Sequence, residues 1–309
     1  MRIKNRQFET LEQLEIIDIA DEGKSIAKHG DLVVFVTGAV PGDVVDAKVT
    51  RKKKSFLEAK VLKFHTYSPD RIPAFCKHFG VCGGCKWQHL SYEKQLFYKQ
   101  KQVLDCLQRI AKVDTEGLVT PIKPSANTTY YRNKLEYTFS NRRWLTDEDM
   151  KITDEQRNMN GLGFHIPGMF DKVLDIETCF LQADPSNSIR LVVKDFALKN
   201  DITFYEIRKQ QGFLRNMIIR TTNNDEIMLI FSFFYEDEKW RNALLKHVSG
   251  MFPEITSIMY VINPKCNDII SDLEIQCYKG NPYIIEKMGD LQFKIGPVSF
   301  FQTNSIQAY

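Results

Sequence analysis

Three of the chain's seven cysteines fall within ten residues, as Cys76-Lys-His-Phe-Gly-Val-Cys82-Gly-Gly-Cys85. The C-x2-C pair puts two thiolates on one tight turn, and Gly83 and Gly84 relieve the backbone between them. Two sulfurs so placed can address a single metal ion or cluster. A third sulfur shortly before them fits an iron–sulfur site better than a zinc ribbon, which needs two C-x2-C knuckles. Zinc is the alternative. The fourth ligand then lies far along the chain, among Cys106, Cys179, Cys266 and Cys277. Cys106 reads as a buried apolar residue of a helix, and Cys266 and Cys277 read as buried thiols on or near strands. Pattern alone leans only slightly to Cys179, which follows a strand and sits on no obvious core stripe. His78 and His89 flank the motif and read as neighbours, not ligands.

The elements around this motif divide into two kinds. Before it, LEIIDIA, LVVFV, VVDAKVT and FLEAKVLKF are short apolar runs separated by turn residues at Asp21-Glu22-Gly23, His29-Gly30 and Pro41-Gly42-Asp43. Such spacing predicts a small closed β-barrel over residues 1–66. Arg51-Lys52-Lys53-Lys54 falls at a hairpin tip of that barrel, either as a solvated turn or as a grip on a phosphate backbone. A linker and the cysteine segment occupy 67–92.

After it, Ser91 is placed to cap a helix from about Tyr92 to Lys112, whose Leu96, Val103, Leu107 and Ile110 recur at helical spacing. YRNKLEYTF, GLGFHI and KVLDIETCFL then read as strands, with a charged exposed loop at 145–160. A helix over about 184–199 precedes ITFYEIRK, FLRNMIIRTT and EIMLIFSFFY, which read as an antiparallel meander. EDEKWRNALLKHVSGMF is a further amphipathic helix. ITSIMYVIN, LEIQCYKG, PYIIEKM and LQFKIGP are further strands. Runs of strands with a few covering helices predict an α+β domain over 93–295 with a mixed or antiparallel sheet.

Composition sets outer limits. The 309 residues are 43% hydrophobic and 26% charged, as in a globular protein, and 42 Lys and Arg against 39 Asp and Glu give a net charge of +3. That excess does not announce a nucleic-acid binder unless it is clustered. No apolar run is long enough to span a membrane, and MRIKNRQFETLEQ lacks a signal-peptide core. The expectation is a cytoplasmic monomer with no membrane and no DNA partner.

The motif C-x-H-F-G-x-C-G-G-C-x-x-Q-H-L at 76–90 resembles that of the S-adenosylmethionine-dependent RNA uracil-5-methyltransferases, in the branch acting on 23S rRNA. DEGKSIAKHGDLVVFVTGAVPGDVV at 21–45 resembles a TRAM domain, and YRNK at 131–134, GFLRNMIIR at 212–220 and SFFQTN at 299–304 follow in that family's order. The resemblance implies a [4Fe–4S] cluster held by Cys76, Cys82, Cys85 and Cys179, structural in role. It implies ribosomal RNA contacts from Lys52, Lys53, Lys54, Arg132 and Lys134, and contact between Gln302 and S-adenosylmethionine. The implied chemistry is methyl transfer to C5 of a flipped-out uridine, made nucleophilic by addition of a thiolate at C6.

Residues 296–309 resemble the start of the methyltransferase domain, and no glycine-rich strand–turn–helix follows them. GLGFHIPG at 161–168 lacks G-x-G-x-x-G spacing and reads as a loop. The expectation is therefore a chain without a Rossmann-like methyltransferase domain and without catalytic residues, inactive alone. Two alternatives stand beside it: a stand-alone iron–sulfur RNA-binding module, and a uracil-5-methyltransferase directed at tRNA.

Overall fold

The computed structural model describes residues 9–309, so the first eight residues of the expected barrel lie outside the described residues. The described chain forms two units. The first runs to Gly80 and resumes over Cys85–Pro124, and the second comprises Val81–Gly84 and Ser125–Tyr309.

In the first unit, β1 (Thr10–Ile19), β2 (Ser25–His29), β3 (Leu32–Thr37), β4 (Val44–Lys52) and β5 (Phe56–Thr66) close in the order β1-β2-β3-β5-β4. Alternate residues point inward, as a strand's period of two demands. Val34 and Val36, Val45, Ala47 and Val49, and Leu57 and Ala59 are all buried. Closure removes the sheet edges that an isolated five-stranded sheet would expose.

The 67–73 segment, expected as a simple linker, is stitched to the barrel by one buried carboxylate. Asp43 accepts from Val40 N at 2.7 Å, Ser68 N at 2.9 Å and the Arg71 guanidinium at 2.8 Å, while Arg71 lies over the Phe64 ring. Gly42, at φ +90°, approaches Ser68 so closely that a Cβ would stand 2.9 Å from its hydroxyl.

Helix α1 spans Tyr92–Arg109, and Ser91 caps it by accepting from Lys94 N at 3.4 Å. The predicted apolar stripe does not bury. No α1 residue is buried, and Val103 and Ile110 are exposed at 55% and 80%. Tyr98 meets the small cluster of Ile19, Val40 and Leu90, and Lys101 pairs with Asp18 and Asp105. Cys106 is accordingly exposed, not an apolar core residue.

The second unit is built on a seven-stranded sheet. Its strands are β6 (Lys134–Ser140), β7 (Gly161–Ile166), β8 (Met169–Asp175), β9 (Leu214–Thr221), β10 (Ile227–Phe233), β11 (Ser257–Ile262) and β12 (Ile275–Gly280). Their order is β12-β11-β10-β9-β6-β7-β8. GLGFHI forms strand β7, as its apolar run predicts, so the reading of GLGFHIPG at 161–168 as a loop does not hold. ITFYEIRK is no meander strand; it forms only isolated bridges such as Phe204 with Leu214.

β10 and β11 run parallel, so the sheet is mixed, and the crossover is helix α3 (Glu238–Met251). Helix α2 (Ser186–Lys199) joins α3 on one face, through Ile189, Val193, Leu244, Leu245 and Val248. The other face carries Ile218, Met228, Ile230 and Met259 against Ile284 and Ile295 of the hairpin β13 (Ile284–Met288) and β14 (Leu291–Ile295). Burial on both faces explains why β10 reads as a near-continuous apolar run. The chain ends in the short helix α4 (Ser305–Ala308). No helix among the described residues is long and apolar enough to cross a membrane.

Candidate functional site

The site in the second unit is assembled where β6 begins. Strand pairing sets Lys134 opposite Arg220, and Thr221 N donates to Asn133 O at 2.9 Å. The SFFQTN segment docks here. Asn133 N donates to Thr303 O at 2.9 Å and Asn133 Nδ2 to Gln302 O at 2.7 Å. The buried Arg220 donates to the carbonyls of Ser299 at 2.8 Å and Pro297 at 3.2 Å. Burial lowers the Arg220 pKa against the opposing pull of Glu136. The Gln302 backbone is therefore fixed while its side chain is exposed.

Beside this segment lies a cleft of about 300 Å³ whose wall includes Tyr130, Arg132, Asn133, Asn223 and Ser305. Arg132 is anchored through its backbone N to Leu181 O at 2.8 Å, and its buried Nε has no hydrogen-bond partner among the described residues. Lys134 sits on a central strand, 3.7 Å from Glu136. Burial raises the Glu136 pKa, opposed by Lys134.

The expected cluster ligands divide between the units, with Cys76 and Cys85 in the first and Cys82 and Cys179 in the second. Cys76 N donates to Gln88 Oε1 at 3.2 Å. Gly84 N donates to Cys82 Sγ at 3.4 Å, as amides commonly do to thiolates that hold a cluster. Cys179 is buried, and Asn187 clasps it from both sides: Cys179 N donates to Asn187 Oδ1 at 2.8 Å, and Asn187 Nδ2 to Cys179 O at 3.1 Å. The fully buried Arg190 braces this clasp through Asn187 Oδ1 and Glu177 O. Among the described residues, no group of three or more His, Cys, Asp or Glu is arranged to hold a metal ion.

Lys52 ends β4, and Lys53 and Lys54 form the turn into β5, closed by Lys53 N donating to Phe56 O at 2.9 Å. All three are exposed, and Lys52 reaches Glu9 at 3.4 Å. Cys266 and Cys277 are exposed, which corrects the expectation of buried thiols. Cys277 lies on the edge strand β12, and Cys266 lies in a loop held by a residue that the sequence did not single out. That residue is Arg215, which is 1% exposed and donates to the carbonyls of Asn263, Lys265 and Asn267 and to the Asp268 carboxylate. Two arginines within one apolar strand, at 215 and 220, are the signal that could have marked both clamps.

Residues 11–62 match the TRAM domain family. Over 294 residues the chain is 52% identical to an uncharacterized RNA methyltransferase of Bacteroides thetaiotaomicron, covering 94% of this chain and 64% of that protein. An uncharacterized RNA methyltransferase of Porphyromonas gingivalis is 48% identical over 301 residues, covering 96% and 64%. Among solved structures, the Pyrococcus abyssi tRNA (uracil-54, C5)-methyltransferase in complex with S-adenosyl-L-homocysteine matches with a TM-score of 0.68 and 26% identity. That match covers 96% of this chain and 62% of the other.

The expected fold class, an α+β multidomain chain from which the Rossmann-like methyltransferase domain is absent, is corrected by this match. Nearly all of the chain is laid on the structure of a methyltransferase, and the point at which a sequence stops does not show what its protein lacks. The N-terminal barrel of that expectation stands, on the TRAM match. The chain spans about 64% of the length of these curated relatives and is similar to RNA methyltransferases over nearly all of its own.

Proposed function

We propose that this protein takes part in S-adenosylmethionine-dependent methylation of a uridine at C5 in RNA, with 23S rRNA as substrate. The observation that carries the reading is Gln302, an exposed amide on a clamped backbone beside a cleft lined by Arg132. Gln302 contacts the cofactor, which supplies the methyl group from its sulfonium. Arg132 and Lys134 approach the RNA around the target nucleotide. Lys52, Lys53 and Lys54 grip its phosphates, since lysines on an exposed hairpin tip add sequence-independent affinity. Cys76, Cys82, Cys85 and Cys179 hold a [4Fe–4S] cluster in a structural role. The C-x5-C-x2-C spacing and the amide on Cys82 Sγ support that assignment.

The test is to incubate the purified full-length protein with S-adenosylmethionine and unmodified 23S rRNA or tRNA, then quantify 5-methyluridine by mass spectrometry. Product in 23S rRNA is expected. Product in tRNA alone selects the tRNA reading, which the solved archaeal relative favours. Absence of product in both refutes the proposal. Anaerobic iron and sulfide analysis of wild type and Cys179→Ala tests the cluster: about four irons per chain in wild type are expected, lost in the variant.

A further inference from the structure

The Gln302 segment rests on a buried carboxylate that no motif includes. Glu286, on β13, is fully buried. Its Oε1 accepts from Asn223 N at 2.9 Å, and its Oε2 accepts from Ser305 Oγ at 2.9 Å. Ser305 Oγ in turn accepts from Asn133 Nδ2 at 3.4 Å, the same amide that donates to Gln302 O. The chain of contacts runs Glu286, Ser305, Asn133, Gln302, with Arg220 holding the carbonyls upstream.

A carboxylate fully removed from water survives only with strong donors. Among the described residues, one of its donors is a backbone amide of the β9–β10 turn and the other is the hydroxyl at the start of α4. It therefore ties three elements together at one point. Residues 296–304 belong to no helix or strand, so the geometry of Gln302 depends on such side-chain ties.

We propose that Glu286 is a positioning residue: through Ser305 and Asn133 it fixes the 299–305 backbone so that the exposed Gln302 side chain is presented to S-adenosylmethionine in one orientation. The inference rests on the reading of Gln302 given above. It adds a residue sixteen positions upstream that touches neither cofactor nor RNA.

Glu286→Gln in the full-length protein keeps the shape but removes the charge and puts an amide NH2 where a carboxylate oxygen accepted from the Ser305 hydroxyl, so that bond must reverse. Ser305→Ala removes the link without touching the carboxylate, and Ser305→Thr restores the hydroxyl. The measurements are S-adenosylmethionine affinity by calorimetry, RNA affinity, and hydrogen exchange of the 299–306 amides without cofactor. Glu286→Gln and Ser305→Ala should weaken cofactor binding roughly tenfold, as expected for one charge-assisted hydrogen bond, and speed exchange across 299–306. RNA affinity should stay as in wild type, and Ser305→Thr should recover most of both losses. Should Glu286→Gln fail to fold, Ser305→Ala carries the comparison alone. Wild-type cofactor affinity and exchange in the folded variants would overturn the proposal. If wild type itself binds no S-adenosylmethionine, the functional reading fails, and the exchange comparison still decides whether Glu286 holds the segment.

Discussion

Gly83 and Gly84 sit side by side in the cysteine motif, yet the structure predicts opposite responses to the same added methyl group. A Cβ on Gly83 would stand 2.5 Å from the carbonyl oxygen of His165, well inside the 3.4–4 Å of ordinary contact. That oxygen belongs to β7, in register with Val173 of β8, and cannot retreat without distorting the sheet. A Cβ on Gly84 would meet only Cys82 Sγ at 3.5 Å, an ordinary contact. Neither glycine has a positive φ, so the difference is one of space and not of backbone strain. Overpacking against a fixed group costs about 1–3 kcal/mol, and a tolerated surface substitution stays within about 0.5 kcal/mol. For a unit of this size, each kcal/mol moves the melting temperature by about 2–4 °C. Gly83→Ala should therefore melt about 2–12 °C below wild type, and Gly84→Ala should lie within about 2 °C of it. Thermal unfolding of the three proteins, with iron content measured alongside, is the assay. Equal stability of Gly83→Ala and wild type would refute the close approach of this turn to β7.

Three further outcomes follow from the same geometry. Arg215→Met fills the volume but strips the donors from three loop carbonyls, the Asn263 carbonyl buried among them, so urea unfolding should show a loss of about 1–3 kcal/mol, and an unchanged midpoint would contradict the clamp. Burial raises the Glu136 pKa, so the folded state favours its protonated form, and the associated stability is present at low pH and lost as pH rises through the folded value. Glu136→Gln should then melt above wild type at pH 7, with the difference closing toward pH 4; a constant or inverted difference across that range would show that the Lys134 and Arg220 attractions prevail. Replacing Lys52, Lys53 and Lys54 together by Gln should flatten the dependence of log K on log salt for single-stranded RNA by about two, at about 0.7 per phosphate contact, and an unchanged slope would remove this hairpin from the interface.

The barrel was readable because its short apolar runs are divided by turns of which three in four carry Gly, Asp or Pro, so local chemistry and global closure agree. Ser91 and the start of α1 were readable for the same reason. The α1 stripe misled because four apolar residues at helical spacing show amphipathicity without showing what covers it, and Val103 and Ile110 remain exposed. The parallel β10–β11 pair was legible in principle. A strand, an amphipathic helix and a strand in succession are the crossover pattern, yet the reading set ITSIMYVIN apart as a further strand and left the sheet open between mixed and antiparallel. The arginine clamps were not legible. Arg215 and Arg220 interrupt apolar runs, and their acceptors are carbonyls tens of residues away, which no local period encodes. Glu286 was hidden in the same way, inside a short strand with nothing to mark it as buried.

The three segments that carry the resemblance after the cysteine motif lie 131, 212 and 299 residues along the chain, and their spacing alone gives no reason for them to occur together. The fold supplies one. Pairing of β6 with β9 brings YRNK against the end of GFLRNMIIR, with Lys134 opposite Arg220. The β13–β14 hairpin packs on the same sheet through Ile284 and Ile295, and so delivers the chain leaving β14 to that junction. Asn133 from the first segment and Arg220 from the second then take the carbonyls of Pro297, Ser299, Gln302 and Thr303 along the third. Backbone that lies outside the ladders is made rigid by side chains contributed from within them. In this region a change at Asn133 or Arg220 should therefore act on Gln302 without contact with its side chain, and the three motifs behave as parts of one structural device.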